Sequence, residues 1–89
     1  MGERFMADAE KNALRRLVDV FQDVFDDDTI EVNEQTIASD VEGWDSLAHI
    51  RLIVSIEKAF SLRFSASEIA ALENVGDMAK LIASKQPIL

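Results

Sequence analysis

Cysteine is absent from the 89 residues, which excludes a disulfide framework, a thiolate metal site and a nucleophilic protein thiol. One histidine, His49, is the only imidazole available as a base. No apolar run approaches the ~18 residues that a membrane span needs, so membrane insertion is not expected. Met1-Gly2-Glu3-Arg4-Phe5-Met6 has no apolar h-region and no hydroxyl residue at the sixth position for myristoylation. The cytoplasm is the expected compartment, with either Met1 or Met6 as the native start. Positive charge is also missing from a long stretch: no Lys or Arg lies between Arg16 and Arg51.

That stretch holds Asp19, Asp23, Asp26, Asp27, Asp28, Glu31, Glu34, Asp40, Glu42 and Asp45, more negative charge than the formal net charge of −8 of the whole chain. Such a field repels nucleic acid and anionic membranes. It would attract basic protein partners, or it serves only as a solvated face that keeps the chain apart from its copies. The carboxylates do not form a calcium loop. Counted from Asp26, the fifth position is Ile30, the sixth is Glu31 rather than glycine, and the twelfth is Ile37. No metal site is expected.

A hydrophobic fraction of 48% is that of an ordinary folded chain. The length implies one domain over residues 1–89, with its core at about 7–84 and short flexible termini. Leu14, Leu17, Val18, Phe21, Val24 and Phe25 mark one face of a helix over residues 7–25, stopped by Asp26-Asp27-Asp28. Residues 29–45 have no sustained period. Ile30, Val32, Ile37, Val41 and Trp44 are spaced to pin a loop onto a core, with a short helical turn around 33–38. Leu47, Ile50, Ile53, Val54, Ile56, Ala59 and Phe60 make a wide apolar stripe over residues 46–60, the pattern of a helix buried on more than one side. Ser65 and Glu68 fit a capping box opening a short helix to about Leu72. Asn74 caps a fourth helix running to about Ser84, with Val75, Met78, Ala79, Leu81 and Ile82 inward and Pro87 beyond. Nothing alternates for long enough to make a strand, so the class is all-α.

Ser46 opens the second helix, where free backbone N–H groups and the helix dipole favour an attached phosphate. Its plain reading, shared with Asp45, is an N-cap. His49 follows three residues later, so a Ser–His nucleophile pair is conceivable. There is no G-x-S-x-G elbow, however, and a chain of this size offers no deep water-excluding pocket.

Gly43-Trp44-Asp45-Ser46-Leu47 resembles the 4′-phosphopantetheine attachment site of acyl carrier proteins and peptidyl carrier domains. The similarity spans roughly residues 10–84 and includes the order and lengths of all four helices. It implies an irregular four-helix bundle of acyl-carrier type that catalyses nothing. Ser46 would attack the pyrophosphate of coenzyme A in a phosphopantetheinyl transferase and retain 4′-phosphopantetheine as a phosphodiester. Asp45 matches the acidic residue that presents the site to the transferase and its Mg²⁺, and Leu47 matches the apolar contact that follows. The implied partners are that transferase, a loading ligase or acyltransferase, and downstream biosynthetic enzymes, met by a monomer. Trp44, His49, Ile50 and Arg51 are the candidate partner contacts. A tethered acyl chain would slip against Val54, Phe64, Ile69 and Leu72.

The sequence departs from the family in two places. Carriers of fatty-acid synthesis have carboxylates at the positions matching Ala48 and Arg51, where this chain is neutral and cationic. Trp44 replaces a small or aliphatic residue and is either a plug pinning the loop or a face for the arm or a partner. Val41 to Ile50 looks like small stand-alone carriers of specialised pathways, such as those for particular metabolites or cell-surface polysaccharides. The alternative is an unmodified helical adaptor that binds proteins through the acidic loop and second helix.

Overall fold

The loop between the first two helices decides where the site lies, and its anchors are best seen from the elements on either side. The computed structural model describes residues 8–85. Helix α1 (Asp8–Val24) leads into that loop, which contains a 3-10 turn (Ala38–Asp40). Helices α2 (Ser46–Phe60), α3 (Ala66–Ala70) and α4 (Val75–Lys85) follow, and no strand occurs among the described residues. This is the expected all-α, four-helix architecture. The expected helix start at Ala7, the flexible termini and Pro87 lie outside the described residues.

Helix α1 packs against both α2 and α4. It buries Ala13, Leu17 and Phe21 against Leu52, Ile53, Ile56 and Phe60 of α2 and Val75, Met78, Ala79 and Ile82 of α4. Three- and four-residue spacing puts each set on one face, and burial of that face supplies most of the stability of such helices. Arg16 crosses between elements. Its guanidinium lies 4.1 Å over the Phe60 ring and donates to the carbonyl of Ala59, an orphan acceptor in the last turn of α2.

Both long helices upstream of α3 stop on a left-handed residue. After α1, Asp26 has φ 54°, Asp27 N–H donates to Gln22 O at 3.0 Å, and Asp26 N–H donates to Asp23 O at 3.3 Å. These are the two bonds of a Schellman motif with aspartate where glycine is usual. The Asp26–Asp28 run therefore ends α1 by a specific turn as well as by an unfavourable dipole. Asp27 is also held locally: its Oδ1 accepts from Thr29 Oγ1 at 2.6 Å and Thr29 N at 3.0 Å, which lowers its pKa. After α2, Ser61 has φ 55° and Leu62 N–H donates to Glu57 O.

The loop dips onto the core, though not at every expected residue. Val32 and Val41 are buried and Ile30 and Trp44 half-buried, while Ile37 stays exposed and Thr36 takes the inner place. The reason is backbone satisfaction. Thr36 O accepts from Val75 N and Glu34 O accepts from Gly76 N, both at 2.9 Å. Those carbonyls thus satisfy two of the unpaired donors that open α4. The Thr36 hydroxyl, turned inward, accepts from Asn33 N at 2.9 Å. Within the span expected to turn, Asn33–Thr36 closes one hydrogen-bonded turn, with Thr36 N–H donating to Asn33 O at 3.1 Å, and the 3-10 turn lies at its end, at Ala38–Asp40.

At α3 the capping box forms as the spacing predicts: Glu68 N donates to Ser65 Oγ at 3.2 Å, and Ser65 N donates to Glu68 Oε1 at 2.8 Å. That backbone bond, followed by Lys85 at 3.0 Å, lowers the Glu68 pKa and ties α3 to α4. The helix stops at Ala70 instead of Leu72, with Ala71 N–H donating to both Ser67 O and Glu68 O. Helix α4 runs one residue further than expected, to Lys85.

Gly76 tests the loop anchor. Alanine there gains up to about 1 kcal/mol of helix propensity. Its Cβ, however, would stand 2.6 Å from Glu34 O, the same backbone atom that Gly76 N–H holds. Overpacking against fixed backbone costs about 1–3 kcal/mol, so the clash wins. Gly76→Ala is expected to lower the urea midpoint by the equivalent of roughly 1–2 kcal/mol. An unchanged or raised midpoint would show that the loop is not held there.

Candidate functional site

Gly43 makes the turn into α2. Its φ of 88° lies in the left-handed region where a side chain would be strained, and Phe25 is 3.9 Å from the place of a Cβ. Trp44 N–H donates to Val41 O at 3.2 Å and Asp45 N–H to Gly43 O at 2.9 Å, which delivers the chain to the helix in a tight turn. Asp45 is then the N-cap. Its backbone is extended and its Oδ1 accepts from Ala48 N at 2.9 Å. Of the two residues that sequence offered for that role, Asp45 takes it and Ser46 is the first helical residue.

Ser46 is exposed and its hydroxyl makes no hydrogen bond among the described residues. The backbone donors around it are unequally used. Ala48 N goes to the Asp45 carboxylate and His49 N to Asp45 O, but Ser46 N and Leu47 N have no acceptor among the described residues. The contrast with α4 is informative: Val75 N, Gly76 N, Asp77 N and Met78 N are all taken, by Thr36 O, Glu34 O, Asn74 Oδ1 and Asn74 O. An oxyanion attached at Ser46 therefore meets two free N–H groups and the positive end of α2. An exposed hydroxyl with free donors beside it fits a phosphodiester.

Trp44 was expected as a plug pinning the loop or as a contact face, and His49 as a partner contact; the structure seats Trp44 against the core as a plug and pairs it with His49. They are the residue before the cap and the fourth helical residue, the two places joined by a hydrophobic staple. Their rings are stacked at 5.9 Å and 20°, and Trp44 Nε1–H donates to His49 Nδ1 at 3.0 Å. The indole also meets Phe21 edge-on at 5.1 Å and leans on Phe25 at 6.3 Å. It is seated on α1, half-buried. The staple spacing is present in the sequence at Trp44 and His49.

This pairing also removes the nucleophile hypothesis. An indole N–H only donates, so Nδ1 must accept and the neutral ring carries its proton on Nε2. Neither ring nitrogen is then free to take a proton from Ser46.

The outer flank of α2 is apolar and uncovered. Leu47 is 66%, Ile50 60% and Val54 43% exposed, at the spacing of a single helix face. This corrects the expectation that α2 is buried on more than one side: Leu52, Ile53, Ile56 and Phe60 face inward, whereas Leu47, Ile50, Val54 and Ala59 do not. Arg51 is exposed beside that flank. Of the acyl-cleft residues, Phe64 belongs to the core, Ile69 and Leu72 pack against it, and Val54 lies on the outer flank. Among the described residues no cluster of three or more His, Asp or Glu could hold a metal. No helix there is long and apolar enough to cross a membrane.

The cap makes a separable prediction. Asp45→Ala is expected to lower stability in a urea melt by about 1 kcal/mol, while Asp45→Asn, which keeps an acceptor, retains most of it. Equal losses would mean that the bond to Ala48 N is not what Asp45 contributes.

Comparison with known proteins converges on this terminus. The family model described as "Phosphopantetheine attachment site" matches residues 15–82. The solution NMR structure of holo acyl carrier protein from Geobacter metallireducens is similar at a TM-score of 0.78 and 44% identity, covering 82% of this chain and 84% of that one. No curated protein sequence matches significantly. The chain therefore belongs to the phosphopantetheine-bearing acyl carrier proteins, which hold 4′-phosphopantetheine covalently and catalyse nothing themselves.

Proposed function

We propose that Ser46 is the residue that carries the arm, and that the chain shuttles thioester-linked acyl or aminoacyl groups between dedicated enzymes of a specialised pathway. The observation that carries the assignment is the pairing of an exposed, unbonded Ser46 hydroxyl with unpartnered N–H groups at Ser46 and Leu47. When bound, the arm supplies the thiol that this cysteine-free chain lacks. The chain's own residues anchor and present it. Asp45 holds the first turn of α2, and the free donors and dipole offset the retained negative charge by about 0.3–1 kcal/mol. Family membership leaves the unmodified-adaptor alternative without support.

The partners follow from the surface around the anchor. A phosphopantetheinyl transferase must reach Ser46 across Asp45 and the exposed Leu47. Loading and downstream enzymes would read the flank of Leu47, Ile50 and Val54, an apolar strip that needs an apolar counterpart. Arg51 puts a positive charge on that strip, and Ala48 is buried and neutral. Basic enzyme surfaces built for acidic carriers would be repelled here, which is the ground for a specialised set of partners. Phe64, Ile69 and Leu72 offer a tethered chain an apolar route inward past the edge marked by Val54. The cytoplasm, where coenzyme A is drawn on for such chemistry, is the proposed place of work.

The direct test is intact mass after incubation with coenzyme A, Mg²⁺ and a broad-specificity phosphopantetheinyl transferase. Wild-type protein is expected to gain one arm and Ser46→Ala none. Because Asp45 is the cap, Ser46→Ala should change stability by less than about 0.5 kcal/mol, so a missing arm reports chemistry and not unfolding. An arm on the alanine variant would move the assignment to another serine. Arg51→Glu is expected to raise severalfold the rate at which loaded protein is acylated by fatty-acid-synthesis enzymes, with the gain shrinking at high salt. An unchanged or lower rate would remove the charge argument for specialised partners.

A further inference from the structure

The Trp44–His49 pair does more than staple a helix, because it leaves one defined donor uncommitted. Trp44 Nε1–H donates to His49 Nδ1 at 3.0 Å, which places the single proton of the neutral imidazole on Nε2. That Nε2–H has no acceptor among the described residues. His49 is half-buried on the fourth helical position, three residues after Ser46, and helical side chains lean toward the N-terminus. Residues three apart on a helix have Cβ atoms about 5–6 Å from one another. The first turn of α2 contains no acidic side chain, and the capping carboxylate of Asp45 already accepts from Ala48 N. An Nε2–H donor is therefore carried within one turn of Ser46, at an N-terminus where Ser46 N and Leu47 N have no acceptor among the described residues.

We propose that His49 is a ligand of the phosphodiester on Ser46, donating from Nε2–H, and that Trp44 is the positioning residue that holds the imidazole in this tautomer. This rests on the reading that Ser46 bears the arm. The resulting chain of hydrogen bonds runs from indole to imidazole to phosphate, each bond polarising the next. It ties the root of the arm to an aromatic group seated on α1. Acceptance of a bond from the indole and donation to an anion are compatible only in the neutral Nε2–H form, so neither half of the relay competes with the other. A staple alone would need the stacked rings and nothing from Nε2.

The test compares wild type, His49→Phe, His49→Gln and Trp44→Phe, each as apo protein and after arm attachment verified by mass. Nitrogen NMR of the apo wild type should show the Nε2–H tautomer, and Trp44→Phe, which keeps a ring but loses the donor, should shift it to a mixture. On attachment, the wild-type Nε2 proton should move downfield and exchange with water roughly ten- to a hundredfold more slowly. The phosphorus resonance of wild type should differ from that of His49→Phe, which keeps the stack, and His49→Gln should move it back toward the wild-type position. Coincident phosphorus resonances in wild type and His49→Phe, with an Nε2 proton indifferent to the arm, would overturn the proposal while leaving the carrier assignment intact. Should His49→Phe fold poorly, an Nε2 proton equally indifferent in wild type and Trp44→Phe would overturn it alone. Failure of folded wild type to take any arm at Ser46 would overturn both.

Discussion

The indole of Trp44 joins three parts of the molecule that are otherwise held separately: the long acidic loop, α1 beneath it, and the first turn of α2. Its edge contact with Phe21 at 5.1 Å fixes the loop's end on the core, and its N–H fixes His49 one turn into the helix. Aromatic contacts of this kind contribute about 0.5–1.5 kcal/mol beyond the area they bury, and a good N-cap about 1 kcal/mol. Set against the 5–15 kcal/mol net stability of small domains, the junction is a sizeable share of the whole. Gly43 makes the geometry accessible, since the chain must turn through a left-handed residue to set Trp44 inward and Asp45 at the cap.

The other end of the same loop is held by a different device. Glu34 O and Thr36 O satisfy the first donors of α4, and the close approach of Glu34 leaves no room for a side chain at position 76. The loop is thus fixed by hydrogen bonds at α4 and by aromatic packing at α2. One consequence is functional. Because α4 is closed by protein acceptors, only α2 of these two presents free N–H groups to an anion. The loop closes that helix end and leaves the head of α2 as the open one of the two.

A carrier must hold its arm at one place and still be handed between enzymes, and the two requirements fall on different surfaces. Cap, staple and aromatic seat all converge on the residues flanking Ser46, the proposed anchor. The proposed partner surface is the outward flank of α2, where Leu47, Ile50 and Val54 give up their burial. The cost of exposing that apolar strip is a small part of the stability that the inward face supplies.

The helical order, the capping box at Ser65–Glu68, the Asn74 cap and the attachment motif were legible from local pattern, because each depends on residues within a turn or two of one another. The stop of α1 was legible in place but not in kind, since a left-handed aspartate leaves no signature that distinguishes it from a run of solvated charge. Which part of the wide apolar stripe of α2 faces out was not legible. Only the positions of α1 and α4 decide which residues lose contact with water. The burial of Thr36 in place of Ile37 was likewise decided by the distant donors of α4, which no local pattern encodes. The sequence by itself determined that a serine would stand at the head of a helix after an acidic loop. The structure shows that Asp45 caps it, that two donors stay free, and that His49 turns to Trp44. The cap and the staple are local contacts, whereas the seating of Trp44 on Phe21 and the burial of Thr36 depend on where α1 and α4 place the loop, and contacts across the fold cannot be read from spacing along the chain.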